Sequence, residues 1–570
     1  MSQKVDEFMA RALSRRNFVK GGAGVVLTAV TAESFLLLSA CTNGNGTQTT
    51  ATTAAETVLD KALAGIGGKA AVLGLSRFSY QATGVRGLIL EALRPESDPV
   101  ERTDFVTTVS HDLAGNKMRL DIHRDVDFLG AQPTHDFSEV IAGNLGVIIG
   151  VQGLRGGPEL TDMLSERSAA IRAEQRLLNP IILLKEAAAN PSIAADGGTE
   201  TFDGAAHDKL VIQTDVSPVT LFIRQGDGTI SKLSTQENDM LRRDTKLEVL
   251  FSDWRKSPEI SFPMKASLIL GGQTLLTETR TSTQVNPAFE AAKFAFPAGA
   301  APAFNAQFAE RGRKSSQYFQ MFAAVGLPRE GSQTVITATE LEPGVFHLTG
   351  GSHHSMVVEQ SSGIVVAEAP LDDVRSAALI AWIKGRFPGK PITHAAVATH
   401  HHVDHSGGLR HFAAEGATIV GHVSAKTFWD QVFTARSTIL PDALEKNRKA
   451  VKIESVPAGG KFTIADSLRP VTIYEVASTH AADIVAIVAD NEGCVFVSDI
   501  YSPGPGGTAN AGTAELAAAI DKHNIHVHII AGGHGGTATI EEFQALPAAP
   551  VAQRTSFSQP IVCPCQLHCQ

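Results

Sequence analysis

Residues 400–405 read His-His-His-Val-Asp-His, straight after the mostly apolar run "ITHAAVAT". Burying imidazoles and a carboxylate there without partners would be costly. They are either exposed to water or gathered round something that binds them all. The positions of the other polar residues relative to the predicted strands decide between the two. "ITHAAVATH" ends at His400, "VTIYEVASTH" at His480, "GCVFVSD" at Asp499 and "IHVHIIAGGH" at His534. Four separate apolar strands each finish in a side chain able to hold a metal. Ligand sites in α/β folds gather at strand ends, where loops converge. Histidines scattered through a core would not keep that register.

His400 and His402 lie two apart at a strand end, and Asp404 and His405 follow on the turn. Ser406-Gly407-Gly408 then lets the backbone bend closely into a helix. Imidazole nitrogens and carboxylate oxygens suit zinc, and an open coordination position marks a catalytic site. The expected arrangement gives one Zn2+ to His400, His402 and His480 and a second to Asp404, His405 and His534, with Asp499 bridging. The metal charge then offsets the burial of every member.

With this ligand set in order, residues 336–547 resemble the metallo-β-lactamase-fold hydrolase superfamily. Its pattern is His-x-His-x-Asp-His followed by a later His, Asp and His. "LEPGVFHLTGG" is similar to the family's opening strand, "GIVVAEAP" to its second, and "VFVSDIY" to the stretch around the bridging aspartate. Glu368 stands where many members carry aspartate; this position is not a direct ligand. The resemblance implies an α/β fold, an αββα sandwich, and a hydroxide bridging two zincs. Zinc-bound water has a pKa of about 7, so no strong base is needed. The hydroxide would attack the carbonyl carbon of an ester, lactone, thioester or amide, with Asp404 both a ligand and the catalytic group that orients it. A bridging aspartate is shared with glyoxalase-II-like thioesterases and lactonases, which puts β-lactamase activity second. Two further alternatives are an iron-dependent persulfide dioxygenase of the same fold and a ligand-binding lipoprotein with a non-catalytic metal domain. His353 and His354, in "GGSHHSMVV", and Tyr501 are candidates for substrate contact. His401 falls out of register with the ligand pattern. His526 and His528 read as packing or supporting groups, and Cys494, inside a strand, reads as inert.

The elements that must position these residues occupy the second half of the chain. Fifteen of the twenty histidines lie between 336 and 547, where continuous apolar strands alternate with helices. That is the texture of a layered α/β domain with covered sheets. Residues 56–305 differ: half-buried alternating strands such as "FSYQATGVR", "NKMRLDIHRDVDF" and "HDKLVIQT" predict a strand-rich α+β domain. Helices interrupt it near "ELTDMLSERSAAIRAEQRLLNPIILLKEAAA", and its pattern resembles the curved-sheet domains of lipoprotein carriers. Residues 306–335 read as a helical connector and 548–570 as a Cys-containing tail.

The first 41 residues resemble a twin-arginine export signal, with Arg15 and Arg16 ahead of a weakly apolar stretch. Leu38-Ser39-Ala40-Cys41 resembles a lipobox, with Cys41 the lipidated residue. Residues 42–55 then form a flexible tether. The expectation is an exported lipoprotein on the periplasmic or outer side of the cell envelope, attached to membrane by its lipid alone. A net charge of −10 excludes a nucleic-acid partner, which would need a basic surface; the partner expected is a small-molecule substrate. At 570 residues with a mean hydropathy of +0.02, the chain is long enough for two folded domains.

Overall fold

A computed structural model of the chain describes residues 47–88, 92–97, 102–127, 133–153, 156–324, 334–396 and 399–547. The export signal, the lipobox with Cys41 and the 548–570 tail lie outside the described residues. No described helix is long and apolar enough to cross a membrane.

The chain is α/β, with three sheets. The first sheet has thirteen antiparallel strands in two meanders, joined in the middle where the first strand in chain order pairs with the last. Arg77–Gly87 pairs on one side with Arg102–Asp112 and on the other with the last strand, Gln273–Val285. Burial alternates along most of these strands, as in Arg243–Ser257, so one face is covered and the other is not. Helices Ser165–Leu178 and Pro180–Ala189 contribute Ile171, Leu178, Leu183 and Leu184 to the core that also holds Val109 and Leu268. Pro180 suits the first helical position, where its missing N–H is not needed. Ion pairs are buried here as well: Arg86–Glu174 at 2.6 Å and Arg280–Glu278 at 2.8 Å.

The two other sheets come from the second half. A seven-stranded sheet runs in chain order from Thr337–Glu342 to Ile453–Val456. Its first four strands are antiparallel, and Ile364–Ala367, Ile392–Ala396, Thr418–His422 and Ile453–Val456 are parallel. A six-stranded sheet runs from Lys461–Ile464 to Thr537–Thr539. Val345, Met356, Val358 and Val365 of one meet Val471, Ile473, Ile487 and Phe496 of the other in a common core. The outer face of the six-stranded sheet packs Val488, Val495 and Val497 with Leu516 and Ala519 of helix Ala511–His523 and with Phe543. Val357, Val366 and Ile419 on the seven-stranded sheet share a core with Leu379, Ile383, Phe412 and Trp429 from helices. The layers are helix, sheet, sheet, helix. Strands covered on both faces must be apolar at every position, which explains the continuous runs in the sequence.

Helices Ala306–Lys314 and Ser316–Ala324 connect the strand-rich part to these layers. Arg311 reaches Asp372 at 2.6 Å, and the Tyr318 hydroxyl donates to the Leu371 carbonyl at 2.7 Å. Asp372 itself caps helix Asp373–Arg386, accepting from the backbone N–H groups of Val374 and Arg375.

Candidate metal centre

His400 follows strand Ile392–Ala396, and the short helix Val403–Ser406 carries Asp404 and His405. His480 follows Val471–Glu475, Asp499 follows Cys494–Val497, and His534 follows Ile529–Gly532. These carboxyl ends meet at one place. The donor atoms fall into two sets, His400, His402, His480 and Asp499, and His353, Asp404, His405 and His534, each within 4.8 Å of one another. Asp499 faces both. Its Oδ2 lies 3.2 Å from His400 Nε2, 3.2 Å from His480 Nε2 and 2.9 Å from His405 Nε2, and its Oδ1 lies 3.0 Å from His534 Nε2. All seven ligand residues expected from the sequence are therefore together, and His353 joins them.

The far nitrogens of the rings show why they point inward. His400 Nδ1 donates to Thr399 Oγ1 at 2.8 Å, and that hydroxyl donates to Glu368 Oε1 at 3.0 Å. His405 Nδ1 lies 3.1 Å from Glu368 Oε2 and 3.0 Å from Ser498 Oγ. His402 Nε2–H donates to the Ala92 carbonyl at 2.9 Å, and His534 Nδ1–H to the Ser352 carbonyl at 2.8 Å. Spending one nitrogen on an acceptor fixes the tautomer and leaves the other lone pair for a metal. The inward atoms are Nε2 of His400, His405 and His534, and Nδ1 of His402.

The backbone is held in an uncommon form at the same place. Asp499, Glu368 and Leu371 have φ of 59°, 62° and 68°. Left-handed conformations at non-glycine residues cost about 1–3 kcal/mol each and persist where the surroundings enforce them. Leu371 is enforced from both sides, since its N–H donates to the Asp404 carbonyl at 2.8 Å and its carbonyl accepts from Tyr318. A Cβ on Gly407 would stand 2.2 Å from that same carbonyl oxygen, so the turn after His405 needs glycine there.

The electrostatics differ among the donors. Burial, reinforced in His402 by the neighbouring imidazoles, pushes His400 down to about 4 and His402 well below the usual histidine range. These rings are neutral and keep their lone pairs. Burial alone would lower His405 too, but the carboxylates of Asp404, Asp499 and Glu368 overrule it and hold it well above that range. Burial would raise Asp404 and Asp499; the facing imidazoles instead hold both well below the usual carboxylate range. Asp404 Oδ1 is buried with no hydrogen-bond partner among the described residues, and His405 Nε2 faces Asp499 Oδ2 at 2.9 Å and Asp404 Oδ2 at 3.3 Å. Inward imidazole nitrogens beside carboxylates kept ionised, one of whose oxygens lacks a partner, fit divalent metal ions.

The remaining candidates are placed as follows. His353 is buried, with Nε2 3.0 Å from Asp404 Oδ2, where it is a further donor rather than a surface contact. His354 is tied to the Gly351 carbonyl at 3.1 Å and stands outside both donor sets. Tyr501 packs in the apolar layer against Phe543, with ring centroids 5.0 Å apart. His401 is buried and pairs with Asp483 at 2.7 Å, joining the His400 and His480 loops. His526 and His528 are exposed and away from the donor sets. Sequence reasoning missed the Ala92 carbonyl, for which no side-chain signal exists, and Asp483, which its position three residues after His480 could have suggested.

No family model matches the chain, and no curated protein matches it. Among solved structures it is similar to the metallo-β-lactamase FIM-1 from Pseudomonas aeruginosa in the mono-zinc form. That match is 18% identical, covers 37% of this chain and 92% of the other, and has a TM-score of 0.30. A metallo-β-lactamase from Pontibacter korlensis is 16% identical over 37% of this chain and 96% of its own, with a TM-score of 0.27. The DIM-1 metallo-β-lactamase is 18% identical over 37% and 94%, with a TM-score of 0.28. Scores of this size decide nothing about the site; its own geometry does.

Proposed function

We propose that this chain is a zinc-dependent hydrolase of the metallo-β-lactamase type that cleaves an ester, lactone, thioester or amide. The observation that carries the reading is the Asp499 carboxylate, with one oxygen facing His400, His405 and His480 and the other facing His534. A carboxylate has lone pairs on both oxygens and can serve two metal ions at once. Held by His400, His402, His480 and Asp499 and by Asp404, His405 and His534, divalent ions would lower the pKa of a water nucleophile and polarise a carbonyl.

The chain's own residues do the rest. His400, His402 and His405 close the inner side of the centre, with no solvent exposure to speak of. The side chains of His480 and His534 are 18% and 29% exposed, so substrate enters between their loops. Asp404 Oδ1, ionised and without a hydrogen-bond partner among the described residues, accepts a hydrogen bond from the attacking water and so orients it. Glu368 and Thr399 hold His400 and His405 in place, and Asp483 ties the His401 ring to the His480 loop. Export as a lipoprotein through Arg15, Arg16 and Cys41 belongs to the same proposal; release of a Cys41→Ser protein from membranes would support it, and persistent membrane association would sink it.

The test of the reaction is Asp499→Asn, assayed with an activated ester, a lactone and a chromogenic β-lactam. The amide keeps the shape but loses the charge that offsets two dications. Loss of ester or lactone hydrolysis together with one metal per chain is the expected result. Full activity with two metals retained would remove Asp499 as the bridge and move β-lactams to the head of the substrates.

A further inference from the structure

The loop 92–97 comes from the strand-rich half, between strands Arg77–Gly87 and Arg102–Asp112, yet it lies on the metal centre. Its backbone is pinned nearly residue by residue. The Ala92 carbonyl accepts from His402 Nε2 at 2.9 Å and the Leu93 carbonyl from Ala482 N at 2.8 Å, two residues beyond His480. Arg94 O accepts from Ser97 N at 3.0 Å, Pro95 O from Arg242 at 3.0 Å and Ser97 O from Gln273 Nε2 at 2.7 Å. A loop so held presents its side chains in fixed places.

Leu93 is 38% exposed on this pinned loop. At the same residue, Ser424 Oγ reaches the Ala482 carbonyl at 3.4 Å, and its neighbour Val423 is 42% exposed. A single exposed apolar side chain needs no explanation. The segments that carry these two are both bonded to Ala482, two residues beyond the partly exposed His480. An apolar rim next to convergent polar groups is the form of a small-molecule site.

We propose that Leu93 and Val423 form the subsite for the apolar acyl part of the substrate, so that the centre prefers esters or lactones of medium-chain acids to acetyl esters. The proposal rests on the hydrolase reading for the position of the reacting carbonyl. It gives the strand-rich half a part in the reaction: one of its loops fixes the tautomer of His402 and supplies one wall of the acyl subsite.

The experiment uses the zinc-loaded full chain and two chelating probes, acetohydroxamate and octanohydroxamate, titrated by calorimetry. Each buried methylene is worth about 0.8 kcal/mol, a factor of roughly four in affinity, so covering only two or three of them gives a preference of at least ~10-fold for the longer probe. In Leu93→Ser/Val423→Ser the preference should fall to about threefold or less, with zinc content at the wild-type value. Leu93→Met should keep it. No preference in the wild type, or a preference that survives in the double variant, overturns the proposal. If the preference behaves as expected but neither octanoyl nor acetyl esters are hydrolysed, the reaction is wrong and the subsite stands. If neither probe binds the zinc-loaded protein, both fall.

Discussion

Replacing Glu368 with alanine removes a carboxylate that supports histidines of both donor sets from behind. Its Oε1 accepts from Thr399, which orients His400, and its Oε2 lies 3.1 Å from His405 Nδ1. The side chain is almost wholly buried, and water has no ready access to replace it. In the alanine variant His405 keeps only Ser498 Oγ, at 3.0 Å, as a partner for Nδ1. Loss of such an orienting partner lowers metal affinity about 10- to 100-fold, or roughly 1.4–2.7 kcal/mol. The set containing His405 should lose more than the set containing His400, because Glu368 acts on the latter only through Thr399. Glu368→Gln keeps an oxygen to accept from His405 and an NH2 to donate to the Thr399 hydroxyl, so it should recover most of the affinity. Competitive titration of zinc against a chromophoric chelator reads both sites. Unchanged affinity in the alanine variant, or an equal loss in the glutamine variant, would refute the orienting role.

Other expectations follow from buried groups elsewhere. Burial pushes the Glu237 carboxyl up to about 8 against the pull of Ser316 and Gln317. Between the ordinary carboxylate value and about 8 it is protonated when folded and ionised when unfolded, so stability falls as pH rises through that window, by at most about 1.4 kcal/mol per pH unit. Denaturant unfolding at about pH 5 and about pH 8 should show a smaller loss in Glu237→Gln than in the wild type. Gly407→Ala drives a Cβ to within 2.2 Å of the Leu371 carbonyl and should cost about 1–3 kcal/mol in thermal or denaturant unfolding, with weaker zinc retention. Burial, followed by Glu342 and Glu492, raises the Cys494 thiol to about 12, so iodoacetamide should label it only after unfolding.

The clustering was legible because His400, His480, Asp499 and His534 each follow an apolar strand, and strand ends converge whatever the details of the loops. The His-x-His-x-Asp-His spacing added the order in which they meet. His353 was harder: it sits in a turn between antiparallel strands, and only the approach of that turn to Asp404 makes it a donor. The support of His402 by Ala92 was beyond reach, since a backbone carbonyl leaves no mark in a sequence. Helices Ser165–Leu178 and Pro180–Ala189 and most long strands of the first half followed from periodicity. Their pairing did not, because Phe78 against Val285 joins strands at opposite ends of the meander. The packing of the Tyr501 ring against Phe543 in the outer layer was not legible either, since it depends on where helix Ile540–Gln544 docks.

Metal content, measured by mass spectrometry on the purified full chain, tests the central claim most directly. The two donor sets sharing Asp499 predict about two zinc ions per chain, falling to about one in Asp499→Asn with the fold retained. A single iron per chain, or no bound metal after incubation with zinc, would contradict the account.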